Sequence, residues 1–235
     1  MKTEKIYQYL EAYKKLLRSR TPYEEAYKWE VLKNFQDNWD VEAPDFAEMY
    51  SRSLASNMSR RLWRETGYEP RQRMLEFIPL QPDWVRHLFR DLFDEEKSLD
   101  ARIGRFVFGC DELMAEYRQQ NPTSNETSHY HEDYRMISLY LGLRHPQAYA
   151  PYDLDTFRNI LVKLEGRDIP LAHDLPRYIK LLRILEKFIT KDEELLEAHR
   201  NKIRGNSFYK GPTLMLVQDF CWCCTQPRYR IEQFF

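Results

Sequence analysis

Apolar side chains recur along this chain at steps of three and four, the spacing that lines one face of an α-helix. The first stripe is Ile6, Tyr9, Leu10, Tyr13, Leu16 and Leu17. Thr21-Pro22 then sets a hydroxyl cap before a proline at the first helical position. Glu24 and Glu25 follow where the helix dipole favours acids, so a second helix is predicted through Tyr27, Val31, Leu32, Phe35 and Trp39. Ala43-Pro44-Asp45 opens a third through Phe46, Met49, Tyr50 and Leu54, and residues 56–69 lose the period. Pro70 restarts it, and Gln81-Pro82-Asp83 opens another helix through Trp84, Val85, Leu88, Phe89 and Leu92. The cleanest stripe is Leu99, Ile103, Phe106, Cys110, Leu113 and Tyr117, alternating steps of four and three, and it predicts a packed core helix.

The polar, turn-rich run Asn121 to Ser128 reads as a linker. Helices are predicted beyond it over Tyr134 to Leu143, over Asp153 to Leu164 with Gly166 as the residue past its end, along Tyr178 to Phe188, over Glu193 to Ile203, and over Pro212 to Cys224. The alternating runs that mark strands are nearly absent. The expected fold is an all-α irregular array of about ten helices, either in two lobes spanning 1–120 and 129–235 with a linker near 121–128 or packed as one domain.

Composition narrows the chemistry. The 235 residues include only 7 glycines, and no G-x-x-x-x-G-K-[ST] occurs, so a P-loop that cradles phosphate is excluded. Lys and Arg nearly balance Asp and Glu, for a formal net charge of -1, which argues against a global polyanion-binding surface while leaving room for a local one. Met1 to Lys5 is charged and lacks the apolar core of a secretory signal, and no long apolar run spans a membrane. Cys221, Cys223 and Cys224 crowd into one helical turn, apart from Cys110, which is no disulfide framework. A reducing, cytoplasmic location without membrane contact is expected.

Four groups of residues invite a chemical reading. Cys221-x-x-Cys224 resembles a redox or zinc pair, but it lies at a helix end where the dipole opposes a thiolate, and no second pair exists; core thiols are expected. His129-Tyr130-His131 is half of a metal site with Glu132 and Asp133 adjacent, but the sequence offers no matched second half. A polar loop flank is therefore expected, with neither metal nor cofactor. His173-Asp174, with His145 and Asp219, matches the order of an HD-type metal phosphohydrolase. Against this, Leu175-Pro176 follows, so Asp174 reads as a helix cap. Two basic clusters remain. Arg52, Arg60, Arg61, Arg64, Arg71 and Arg73 form one, and Arg200, Lys202, Arg204 and Lys210 the other, with Trp63, Tyr68 and Tyr209 among them. Arginine forks beside aromatic rings suit nucleic acid, and they equally suit solvated helix faces.

Several stretches resemble a known family. They are Trp29-Glu30-Val31-Leu32-Lys33-Asn34-Phe35-Gln36-Asp37-Asn38-Trp39 with Ala43-Pro44-Asp45-Phe46, then Val85 to Glu95, Arg102 to Phe106, and Met136 to Leu141 leading to His145-Pro146 and Tyr149-Ala150-Pro151-Tyr152. Together they resemble the helical region that precedes the nucleotide-binding module in AAA+ motor subunits of McrBC-type, modification-dependent restriction systems. The resemblance covers roughly residues 25–220 and rests on structural aromatics and helix signals. The Walker-bearing module is not in this sequence, so no catalytic residue carries over. The resemblance implies a non-catalytic recognition or adaptor module in restriction or anti-phage defence, contacting DNA or a partner such as an AAA+ motor or nuclease subunit. Candidate nucleic-acid contacts are Arg60, Arg61, Arg64, Arg71, Arg73, Lys202, Arg204 and Lys210. A protein–protein adaptor without nucleic-acid contact, and the HD-type phosphohydrolase, are the alternatives.

Overall fold

In a computed structural model of the protein, residues 1–20, 23–55, 59–63 and 67–235 are described. Their elements, in chain order, are α1 (Thr3–Arg18), α2 (Tyr27–Asn38), α3 (Phe46–Ser53), α4 (Pro70–Phe77), α5 (Pro82–Phe93), α6 (Leu99–Gln120), α7 (Arg135–Arg144), α8 (Leu154–Lys163), α9 (Leu175–Ile189), α10 (Glu193–Lys202) and α11 (Met215–Thr225). Short 3-10 turns lie at Glu24–Ala26, Ser59–Leu62, Pro227–Tyr229 and Ile231–Phe234. The fold is all-α, with no strand among the described residues.

Most helix starts lie where their capping chemistry places them. Asp45, Asp153, Asp174 and Asp192 each accept a backbone N–H from three residues ahead, satisfying a donor that the first turn leaves open. Pro70 and Pro82 start α4 and α5 where a missing N–H costs nothing. Two predicted ends differ. The second helix starts at Tyr27 after a 3-10 turn, and Thr21-Pro22 lies outside the described residues. Past α8 the left-handed residue is Glu165 (φ 50°), not Gly166. Glu165 N–H donates to Val162 O (3.0 Å) and Gly166 N–H to Leu161 O (2.7 Å), the paired bonds of a Schellman motif. Lys2, 2.5 Å from Glu165, holds that side chain in place.

The predicted core stripe on α6 is buried at Ile103, Phe106, Cys110 and Leu113. Its neighbour α5 lies so close at Gly109 that a Cβ there would stand 2.5 Å from Leu88 Cδ2, and glycine is what permits the approach. One continuous hydrophobic cluster runs from Ile6 to Ile231. Helix α1 packs on α10, α11 and the final 3-10 turn, and α2 packs on α7. Residues 121–128 form a connecting loop, and helices on both sides of it contribute to this one cluster. Turn-rich polarity marks a loop but says nothing about what its flanks pack against.

An ionic knot ties the ends of the chain together inside this core. Lys28 Nζ donates to Asp219 Oδ1 (2.8 Å) and Gln218 Oε1 (3.1 Å) and lies 3.1 Å from Glu25 Oε2. The Tyr13 and Tyr23 hydroxyls donate to Asp219 Oδ2 at 2.6 and 2.8 Å. Tyr229 Oη donates to Glu25 Oε1 (2.8 Å), which Arg228 also reaches. Burial works against the Asp219 charge, yet the Lys28 ammonium and the two hydroxyls hold the carboxyl below the usual carboxylate range.

Candidate functional site

The described arginines of the first basic cluster all have partners within the fold. Arg60 pairs with Glu69 (2.6 Å), and Arg61 lies over the Tyr27 ring and 3.7 Å from Glu24. Arg71 donates to the Ser51 carbonyl and hydroxyl. Arg73 is buried against Tyr117 and paired with Glu76 (2.6 Å) and Glu126 (2.9 Å). Arg64 lies outside the described residues. A charge count along the chain could not show these partners, because Glu24, Glu126 and Ser51 reach the arginines only through the fold. Arg71 and Arg73 are therefore held within the fold by these partners.

The second cluster divides. Lys202 donates to the Ser19 carbonyl and Arg204 to Asn201. Arg200 and Lys210 are exposed and stand at a cleft of about 270 Å³ lined by residues of α2, α9, α10, α11 and the 203–214 segment. Trp29, 1% exposed, lies against Ile203 and Met215 and helps to line the cleft. Tyr209 is fixed beside it by its N–H bond to the Trp29 carbonyl (3.0 Å). Thr213 adds a hydroxyl, and Glu186, the acid of the lining, is held by Arg183 (2.9 Å).

His199 is the residue that sequence reasoning missed. Its position on α10 between Ala198 and Arg200 gave no sign that it is buried, with its ring 4.4 Å from that of Trp29 (centroid to centroid). Its Nε2 is buried with no hydrogen-bond partner. Burial pushes the imidazole down to about 4, the Asp219 carboxylate acting in the opposite sense and Arg200 adding to the depression. A neutral histidine in the folded state has a pH consequence. The unfolded imidazole, near 6.5, takes up a proton that the folded one refuses, so stability is lost as pH falls from about 6.5 to about 4, by on the order of 3 kcal/mol. Denaturant midpoints at pH 7 and pH 4.5 should separate more in the unsubstituted protein than in His199→Gln. Equal separations would show that His199 is already charged in the fold.

The HD-type set does not assemble. Asp174 caps α9, accepting from Arg177 N–H (3.0 Å), and Asp219 belongs to the ionic knot. His145 is held by the Phe93 carbonyl (3.0 Å) and lies 3.5 Å from Glu95. Among the described residues, no cluster brings these ligands together. All four cysteines are buried and free, and burial pushes their thiols up, as expected of core thiols. The polar-flank expectation for His129 and His131 is corrected: both are buried, at 2% and 0% exposure, because the loop after α6 folds back onto that helix.

No family model, curated protein or solved structure matches the chain. No helix among the described residues is long and apolar enough to cross a membrane.

Proposed function

We propose that this chain is a non-catalytic recognition module of a restriction or anti-phage defence system, and that its ligand seats in the Trp29–His199–Tyr209 cleft. The resemblance to the helical region of McrBC-type motor subunits supports the cellular role. The observation that carries the ligand class is the cleft itself. It combines two exposed cations, Arg200 and Lys210, an aromatic ring at Tyr209 and a buried histidine nitrogen lacking a partner. Cations beside a ring that can stack on any base suit a nucleotide unit of a single strand. The partnerless nitrogen can accept one hydrogen bond from a base edge or sugar hydroxyl. Duplex tracking by Arg60, Arg61, Arg71 and Arg73 has less support, since those four guanidinium groups already have partners.

The test is anisotropy of a labelled single-stranded oligonucleotide against salt. Each phosphate contact on a single strand contributes about 0.7 to the log–log slope, so Arg200→Gln with Lys210→Gln should lower its magnitude by about 1.4. Tyr209→Ala should cost about 1–3 kcal/mol of binding. No binding at low salt, or a slope unmoved by the double substitution, would sink the reading and favour a protein–protein adaptor.

A further inference from the structure

Three ligating side chains that are far apart or polar-flanked in sequence meet where α6 passes the loop before α7. Cys110 Sγ and one ring nitrogen from each of His129 and His131 all lie within 4.8 Å of one another, and all three residues are buried. A zinc-type ion with bonds of about 2.0–2.3 Å holds such atoms about 3.5 Å apart. Side-chain adjustments of about an ångström would therefore close the set.

The surroundings also point to a cation. Asp111 Oδ1 lies 3.1 Å from His129 Nε2 and Glu132 Oε1 lies 3.6 Å from the same nitrogen. One imidazole N–H satisfies one acceptor, so two mutually repelling carboxylates converge on more than hydrogen bonding requires. Both carboxylates are more than half exposed and line an open groove of about 440 Å³ beside Phe108, which gives an ion a path from solvent. The backbone adds an independent sign. Tyr130, between the two histidines, is left-handed (φ 65°), and so is Tyr134 (φ 65°). A bulky residue holds that conformation only where its surroundings impose it, and such residues gather at functional sites. Here the turn stacks the two imidazoles, with ring centroids 5.7 Å apart and planes inclined by 22°.

We infer that Cys110, His129 and His131 form a binding site for a divalent transition ion of the zinc class, with Asp111 or Glu132 at the fourth position. A thiolate with two imidazoles selects a borderline-soft ion over calcium or magnesium, which prefer all-oxygen sets. Binding breaks the S–H bond of Cys110 and releases its proton to solvent, so the thiolate and one carboxylate balance the dication. Each imidazole gives up one existing contact to become a ligand: His129 either that of Nε2 with Asp111 Oδ1 (3.1 Å) or that of Nδ1 with the His131 N–H (3.2 Å), and His131 most readily its longest, Nε2 to Tyr140 Oη at 3.3 Å.

Cobalt(II) is the probe. The full chain, freed of metal with a chelator, is titrated with Co²⁺ and read in the near-ultraviolet and visible. The expected result is a thiolate-to-cobalt charge-transfer band saturating at one ion per chain, with four-coordinate visible bands, both displaced by Zn²⁺. Cys110→Ser should abolish the charge-transfer band. His129→Gln should weaken uptake roughly tenfold or more. Cys221→Ser with Cys224→Ser should change neither. Circular dichroism checks each variant for folding, and if Cys110→Ser does not fold, His129→Gln decides. Absence of saturable uptake by the unsubstituted chain overturns the site. So does a band that survives both Cys110→Ser and His129→Gln, which would place the ion at the α11 cysteines.

Discussion

Lys28→Met should destabilise the protein by about 3–5 kcal/mol, the cost of leaving a buried charge without its partner. Lys28 is 2% exposed, and Asp219 and Glu25 are 0% exposed, so neither carboxylate can turn to water when the ammonium is removed. Tyr13 and Tyr23 would still donate to Asp219, but two neutral hydroxyls do not replace a full positive charge at 2.8 Å. Acid should act on the same knot. The folded Asp219 carboxyl lies below its unfolded value of about 3.9, so its contribution is complete above that pH and is lost as pH falls through the folded value. Urea midpoints between pH 7 and pH 2 should therefore fall more steeply at the acid end for the unsubstituted protein than for Lys28→Met with Asp219→Asn. A Lys28→Met midpoint close to that of the unsubstituted chain would mean that the knot is hydrated.

Phe106→Asp should leave no cooperatively folded protein at room temperature. The ring is 1% exposed and packs edge-on against Phe89 (5.2 Å), His131 (5.7 Å) and Tyr140 (6.2 Å). Truncating such a ring costs about 3–5 kcal/mol, and the unpaired carboxylate adds several more, together approaching the whole stability of an ordinary domain. Ile103→Asp, one turn earlier on the same buried face, should behave in the same direction. A sharp thermal transition near the unsubstituted value in either variant would refute the packing of α6.

These two sites show what the linear sequence can and cannot carry. Phe106 is legible because a helix against a core must repeat its apolar positions, and the stripe from Leu99 to Tyr117 does so without interruption. The aspartate caps at 45, 153, 174 and 192 are legible for a similar reason, since a cap acts within three residues. The Lys28–Asp219 pair leaves no such trace. Its partners are separated by 191 positions, and Asp219 on its own fits an outer ligand of a metal phosphohydrolase equally well. Cys110 and the two histidines were hidden in two ways. Cys110 reads as one more apolar position of its stripe, and the histidines sit among Ser, Asn, Glu and Asp, a polar setting that conceals their burial. In the cleft, Arg200, Tyr209 and Lys210 were visible as a basic, aromatic run, whereas His199 acquires meaning only when α10 lies against Trp29.

The seating of α1 has a consequence for how the protein is made. Its inner face meets residues near the other end of the chain: Lys14 reaches Asp192 (2.9 Å), Tyr13 reaches Asp219, Lys15 donates to the Phe234 carbonyl (2.8 Å), and the Tyr9 ring meets Phe235 (5.0 Å). On a ribosome adding about 5–20 residues per second, α1 emerges roughly ten to forty seconds before these partners do. Through that interval Ile6, Tyr9, Leu10, Tyr13, Leu16 and Leu17 face water. Helix α1 is synthesised well before the segments it packs against, and it is thus among the last of these elements to dock.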